Sequence, residues 1–197
     1  VLQPRKAMEI LLDSLALLNG DVAFDVRVLG EGRMLKAWQR GARKRKVDEH
    51  IQWIGRVPHD EALRQFRWSD VFAFTSLRDT TGTVVTEALA AGTPVVCLDH
   101  QGCGDVVDDT CGLKVPIASR RDMAQQFAAN LRRIASEPEL FRRLSAGAIE
   151  RAARYLWSEQ GRQMTEIYRS VLSNEGRDVS NDQQGQLIEN IAQLSTA

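Results

Sequence analysis

Up to Pro116 the sequence alternates short apolar runs with amphipathic stripes, and this alternation constrains the fold more than any other feature. The runs are Phe24–Leu29, Ile51–Ile54, Val71–Phe74, Pro94–Leu98 and Leu113–Val115. Between them, apolar residues return every three or four positions, at Ala7, Ile10, Leu11, Leu15 and Leu18 and again at Met34, Leu35, Trp38 and Ala42. Further helices are expected near 60–68 and 83–91, and the first helix over about residues 5–18, closed by Asn19-Gly20. A strand that is apolar on both sides must be covered on both faces, and a helix between successive strands returns the chain to the same end of the sheet. The expected fold is therefore α/β, a doubly wound parallel sheet of about six strands with helices on both faces.

After Pro116 the pattern is helix only, with stripes at Met123, Phe127 and Leu131, at Leu140, Leu144 and Ile149, and from Trp157 to Val171. Residues 1–172 read as one domain, and 173–197 as a polar tail with a short helix around Leu187, Ile188 and Ile191. Val1-Leu2-Gln3-Pro4 reads as the end of a strand entering a turn, so the sequence is expected to be part of a longer chain whose preceding residues complete that strand. Basic and acidic residues balance at 26 each, which argues against nucleic acid as a partner. No apolar run approaches the ~18 residues needed to span a bilayer. Cys97, Cys103 and Cys111 are an odd number in a domain large enough to fold without disulfides, so reduced thiols and a cytoplasmic location are expected.

Parallel sheets bind ligands beyond the carboxyl ends of their strands. The longest polar loop there, Ser76 to Gly82, feeds directly into the helix that begins Thr83-Val84-Val85-Thr86-Glu87. The amides of Thr83 and Val84 lie at the positive end of that helix, behind a glycine that admits a ligand close to the backbone, which favours phosphate. Glu87 follows one turn later, and a carboxylate beside a phosphate site suits a vicinal diol. Phosphate with diol describes a nucleotide. The plainer alternative is that Glu87 is a first-turn acid favouring the helix dipole and that Asp79 and Thr80 only shape a turn.

The stretch Thr75-Ser76-Leu77-Arg78-Asp79-Thr80-Thr81-Gly82, followed by Glu87-Ala88-Leu89-Ala90-Ala91-Gly92-Thr93-Pro94-Val95-Val96, resembles the signature of retaining glycosyltransferase family 4, the glycosyl transferases group 1. Pro4-Arg5-Lys6, Leu29-Gly30-Glu31-Gly32, Ile54-Gly55-Arg56-Val57, Ser69-Asp70-Val71 and Gly112-Leu113-Lys114-Val115-Pro116 extend the resemblance over residues 1 to 172. It implies the Rossmann-like, C-terminal, donor-binding half of a two-domain GT-B enzyme that takes a nucleoside-diphosphate sugar. It further implies that Glu87 holds the ribose hydroxyls and that Asp79, where the family usually has Glu, contacts the transferred sugar. Gly82, Thr83 and Val84 would receive the diphosphate, with Lys6 neutralising it. Gly30 would border the site, and the backbone of Arg56 and Val57 would read the base edge. Thr80-Thr81-Gly82 replaces the family's usual Gly-Phe-Gly. Retention is ascribed in this family to front-face attack assisted by the departing phosphate, without a metal or other cofactor.

The expected partners are thus a nucleotide sugar, an N-terminal acceptor-binding domain of the parent chain, and a glycan, glycolipid or small-molecule acceptor in polysaccharide or glycolipid assembly at the inner face of a membrane. Alone, this piece is expected to bind donor weakly and transfer little. The rival readings are a GT-B sugar-nucleotide epimerase or phosphorylase-like enzyme, or a non-catalytic Rossmann-like interaction module. Several smaller features accompany these. Cys97, His100 and Cys103 have zinc-like spacing, but Cys97 belongs to a core strand, so no metal site is expected. His100 to Asp105 is expected to be a glycine-rich loop bordering the donor pocket. Arg40, Arg43, Lys44, Arg45 and Lys46 form a solvated helix face with lipid contact as the alternative, and Trp38, Trp53 and Trp68 read as core.

Overall fold

The computed structural model describes residues 2–79 and 82–174. The expectations for Val1, for Thr80-Thr81 and for a helix beyond residue 174 lie outside the described residues. The strands β1 (Val26–Leu29), β2 (Ile51–Gly55), β3 (Phe72–Phe74), β4 (Val95–Leu98) and β5 (Gly112–Val115) alternate with helices α1 (Met8–Leu18), α2 (Leu35–Lys44), α3 (His59–Trp68), α4 (Thr83–Ala90) and α5 (Gln101–Val106). Three helices follow: α6 (Arg120–Ser136), α7 (Pro138–Ala153) and α8 (Trp157–Asn174). The chain divides into two compact units at Ala152/Ala153. The core and the site described below belong to the first. In the second, α8 carries a local ladder in which Arg162 pairs with Glu159 and Glu166, both at 2.6 Å.

All strand pairings are parallel, as the covered apolar runs require. The described strands number five, not about six, and they form two sheets, β1-β2 and β3-β4-β5. Leu2 and Gln3, the described residues of the strand end expected at Val1–Pro4, belong to no strand among the described residues. Leu2 instead donates its N–H to Glu31 O at 2.8 Å and accepts from Met34 N–H at 3.4 Å. Pro4–Lys6 then make one 3-10 turn, for which a proline with no N–H to lose is well suited. Ala7, at φ +44°, separates that turn from α1, so the helix expected from residue 5 starts at Met8.

β4, between two partners, is buried along its whole length. Val96 and Leu98 from it join Val115 of β5, Phe127 and Met123 of α6 and Leu144 of α7 in one apolar cluster. A second cluster gathers Leu11, Leu12 and Leu15 of α1 around Trp38 and Ala42 of α2. Ser119 caps α6, accepting from Asp122 N–H at 3.2 Å while its hydroxyl donates to the Asp122 carboxylate at 2.7 Å, and so fixes where the all-helical part begins. Arg45 departs from the solvated face expected of its cluster. It turns inward to Asp13 Oδ1 at 2.6 Å and ties α2 to α1, whereas Arg40, Arg43 and Lys44 are exposed. Trp38 is buried and donates to Glu9 at 3.0 Å. Trp53 is half-buried, but Trp68 is 45% exposed, with the Arg27 guanidinium 3.4 Å from its ring centre, so it is a cation-stacking surface and not core.

Candidate functional site

The loop beyond β3 is built on two buried hydroxyl residues, Thr75 and Ser76. Thr75 Oγ1 donates to Lys6 O at 2.8 Å, and Leu77 N–H donates to Arg5 O at 2.8 Å, so the turn before α1 is clamped to the end of β3. This clamp aims Lys6 at the loop. Lys6 Nζ lies 2.7 Å from Asp79 Oδ2 and 4.8 Å from the ring centre of Phe74. The other Asp79 oxygen accepts from Gly82 N–H at 3.3 Å. Partial burial alone would raise the Asp79 pKa, but the Lys6 hydrogen bond and charge, with the Gly82 amide, outweigh it and hold the carboxyl below its usual range.

α5 supports the loop from the other side. Gln101 Oε1 accepts Asp79 N–H at 2.9 Å, and Gly102 N–H donates to Asp79 O at 3.3 Å. The segment His100–Asp105, expected to be a loop, is helical from Gln101 to Val106 and opens with Gln101 at φ +52°. Arg151 of α7 is buried and fixes the far end of that helix, donating to Val106 O and Asp105 O at 2.8 Å each. Its guanidinium also lies 3.4 Å from the Asp108 carboxylate. Sequence reasoning missed both Gln101 and Arg151. Nothing in their spacing marks a glutamine in left-handed backbone or an arginine reaching carbonyls 45 and 46 positions away.

Gly82 is buried in left-handed backbone at φ +57°, and a Cβ there would lie 3.4 Å from Gly102 O. Its carbonyl accepts from Val85 N–H and Thr86 N–H, so α4 starts its hydrogen-bond ladder immediately after the loop that carries Asp79. Thr83 is exposed and Val84 half-buried at that positive helix end. Glu87, one turn further, is half-buried and lines the same cavity as Lys6, Ser76 and Val84. No hydrogen bond or ion pair holds its carboxylate among the described residues. The structure therefore brings together Lys6, Asp79, Gly82, Thr83, Val84 and Glu87 beyond the carboxyl end of β3. Gly30, Arg56 and Val57 stand beyond the other sheet and do not line that cavity, with Gly30 N–H bonded to Gly55 O at 2.6 Å. Arg56 is exposed.

Cys97 and Cys103 are buried, and the Cys103 thiol donates to His100 O at 3.1 Å and Leu98 O at 3.3 Å. Among the described residues no group of three or more His, Cys, Asp or Glu is placed to hold a metal ion. No helix among them is long and apolar enough to cross a membrane.

The family model for glycosyl transferases group 1 matches residues 1–151. The chain belongs to that family. This group 1 glycosyltransferase domain is 32% identical over 174 residues to the phosphatidyl-myo-inositol mannosyltransferase of Mycobacterium leprae, covering 87% of this chain and 45% of that one. It is 33% identical over 128 residues to the D-inositol 3-phosphate glycosyltransferase of Saccharomonospora viridis, covering 64% and 29%. The chain spans less than half the length of these curated relatives. Among solved structures, the pneumococcal O-GlcNAc transferase GtfA, in complex with UDP and GlcNAc, superposes with a TM-score of 0.75 at 18% identity, over 86% of this chain and 34% of that one. HepE of Anabaena, in complex with UDP, gives 0.71 at 19% identity over 86% and 46%. The C-terminal domain of the group 1 protein LpcC of Francisella tularensis gives 0.64 at 18% identity, over 77% and 80%. The fold is that of GT-B glycosyltransferases.

Proposed function

We propose that this domain is the donor-binding half of a retaining glycosyltransferase that moves a sugar from a nucleoside diphosphate to an acceptor hydroxyl. The observation that carries the reading is that Lys6 pairs with Asp79, whose other oxygen accepts from Gly82 N–H at the start of α4, while Lys6, Val84 and Glu87 line one cavity. Each member has a task that follows from its chemistry. The helix amides and Lys6 stabilise negative charge as the diphosphate leaves, which is where such a transfer needs help most. The half-buried carboxylate of Glu87 accepts two hydrogen bonds from a ribose diol. Asp79 is ion-paired to Lys6, and an incoming diphosphate competes with it for that cation. Attack on the donor's sugar from the same face as the departing phosphate lets the phosphate oxygen take the acceptor proton, so the protein need not supply a strong base.

The named relatives support an acceptor carrying an inositol ring or another polyol, presented by a second domain of a longer protein. Titration of UDP, GDP and ADP into the protein, with and without Glu87→Gln, tests donor binding. Incubation of the parent enzyme with each nucleotide sugar and inositol phosphate, read as glycoside formed with retained anomeric configuration, tests the reaction. Epimerised free donor or phosphorolysis in place of glycoside would refute the transferase reading.

A further inference from the structure

Asp79 has its amide, its carbonyl and both carboxylate oxygens engaged, and the partners fall into two pairs. Lys6 Nζ and Gly82 N–H hold the carboxylate, at 2.7 and 3.3 Å. Gln101 and Gly102 hold the main chain: Gln101 Oε1 accepts Asp79 N–H at 2.9 Å, and Gly102 N–H donates to Asp79 O at 3.3 Å. A bound donor would treat the two pairs differently. A diphosphate lodged at the Gly82–Val84 end of α4 competes for Lys6 and for the Gly82 amide, because both donate to anions. It has no such claim on the side-chain carbonyl of Gln101, which is an acceptor. Once the carboxylate is released, α5 alone among the described residues still fixes where Asp79 stands.

α5 is a firm platform for that task. The buried Cys103 thiol anchors it to Leu98 O at 3.3 Å and His100 O at 3.1 Å, Lys114 Nζ donates to Gly104 O at 3.2 Å, and Arg151 grips the Asp105 and Val106 carbonyls. Gln101 opens the helix in left-handed backbone at φ +52°, a conformation seldom adopted by residues other than glycine, asparagine and aspartate. Such strain persists where the surroundings over-determine it. Glycine would relieve the strain, but it would leave Asp79 N–H without its acceptor. An aspartate side chain has a single methylene, so its carboxylate follows its backbone closely. The placement of the Asp79 main chain therefore decides which hydroxyl of a bound sugar the freed oxygen can reach.

We propose that Gln101 is a positioning residue for sugar recognition: its side-chain carbonyl keeps Asp79 in place when a diphosphate draws Lys6 away, so that the freed carboxylate accepts from a hydroxyl of the sugar. The inference rests on the donor-site reading above, and adds to it a residue that acts through Asp79 and not on diphosphate or ribose. Gln101 thus favours the intact nucleotide sugar and gives nothing to the nucleoside diphosphate alone.

The test uses the 197-residue chain with Gln101→Gly, Gln101→Met and Gln101→Glu. Gln101→Gly suits the backbone and removes the acceptor, Gln101→Met removes it at nearly equal length, and Gln101→Glu retains it. Amide hydrogen exchange at Asp79 is read alongside the thermal midpoint, and calorimetric titration compares UDP with UDP-glucose and GDP with GDP-mannose. The expected result is Asp79 exchange quickened about three- to tenfold by Gln101→Gly and Gln101→Met, the range for one lost hydrogen bond, and close to the parent rate in Gln101→Glu. Gln101→Gly should keep a midpoint no lower than the parent's, and should weaken the nucleotide sugar by a similar factor without weakening its nucleoside diphosphate. Asp79 exchange or nucleotide-sugar affinity indifferent to Gln101→Gly overturns the inference and leaves the donor-site reading standing. So does equal loss for both ligands, with or without a lowered midpoint, since that marks a merely structural role. A parent chain that binds neither nucleotide sugar counts against the donor-site reading itself and overturns the inference with it.

Discussion

The Lys6–Asp79 pair offers the sharpest energetic test of how the loop is held. Its side chains are 26% and 18% exposed at 2.7 Å, between a solvated surface pair and an enclosed charge-assisted hydrogen bond. Fully exposed pairs contribute ~0.2–1 kcal/mol, and hydrogen bonds to charged groups ~1.5–3 kcal/mol. A coupling of about 1–2 kcal/mol is therefore expected from the double-mutant cycle of Lys6→Met, Asp79→Asn and both together, measured by denaturant unfolding. The pH dependence has a definite sign. The folded-state pKa of Asp79 is lowered, so the stabilisation is complete above the unfolded value of ~3.9 and is lost as pH falls through the folded value. The coupling should stay constant from pH 8 down to about pH 4 and fade below that. A coupling under ~0.3 kcal/mol at pH 7, which is within the usual error of additivity, or one that grows on acidification, would refute the account of this pair.

Three further outcomes are expected. Asp79→Asn frees Lys6 from its carboxylate and should tighten binding of UDP several-fold while weakening that of the intact nucleotide sugar, measured by calorimetric titration. Gly82→Ala forces a side chain into left-handed backbone 3.4 Å from Gly102 O and should cost ~1–2 kcal/mol of stability, seen as a lower denaturant midpoint with an unchanged m-value. Arg151→Met leaves the Asp105 and Val106 carbonyls without their donor and should cost about 2–4 kcal/mol, with faster amide exchange in α5 preceding global unfolding.

The helix order and the parallel strands were legible because they follow from periodicity, and that signal is local. Continuous runs such as Val95–Leu98 mark a covered strand, and β4 is buried throughout. The stripe Met123, Phe127 and Leu131 marks the inner face of α6, where Phe127 is wholly buried. The partition into two sheets was not legible, because it depends on which strands pair with which and not on the hydropathy of any one run. The same holds for the site. Gly82 before Thr83 and Glu87 one turn later can be located by spacing along one helix, whereas the grip of Gln101 on Asp79 joins residues 22 positions apart through a backbone conformation that glutamine seldom adopts. Trp68 and Arg45 show the reverse failure. Each fits an expected stripe or cluster, but Trp68 carries the Arg27 guanidinium at the surface and Arg45 is drawn to Asp13.

Calorimetric titration with UDP and with its 2′,3′-dideoxy analogue, against the protein and Glu87→Gln, tests the central claim most directly. If Glu87 holds a ribose diol beside the Gly82–Val84 helix end, Glu87→Gln should weaken UDP about 10- to 100-fold, the range of ~1.5–3 kcal/mol for hydrogen bonds to a charged group, and should leave the dideoxy analogue unaffected. Equal loss for both nucleotides, or no loss for either, would contradict it.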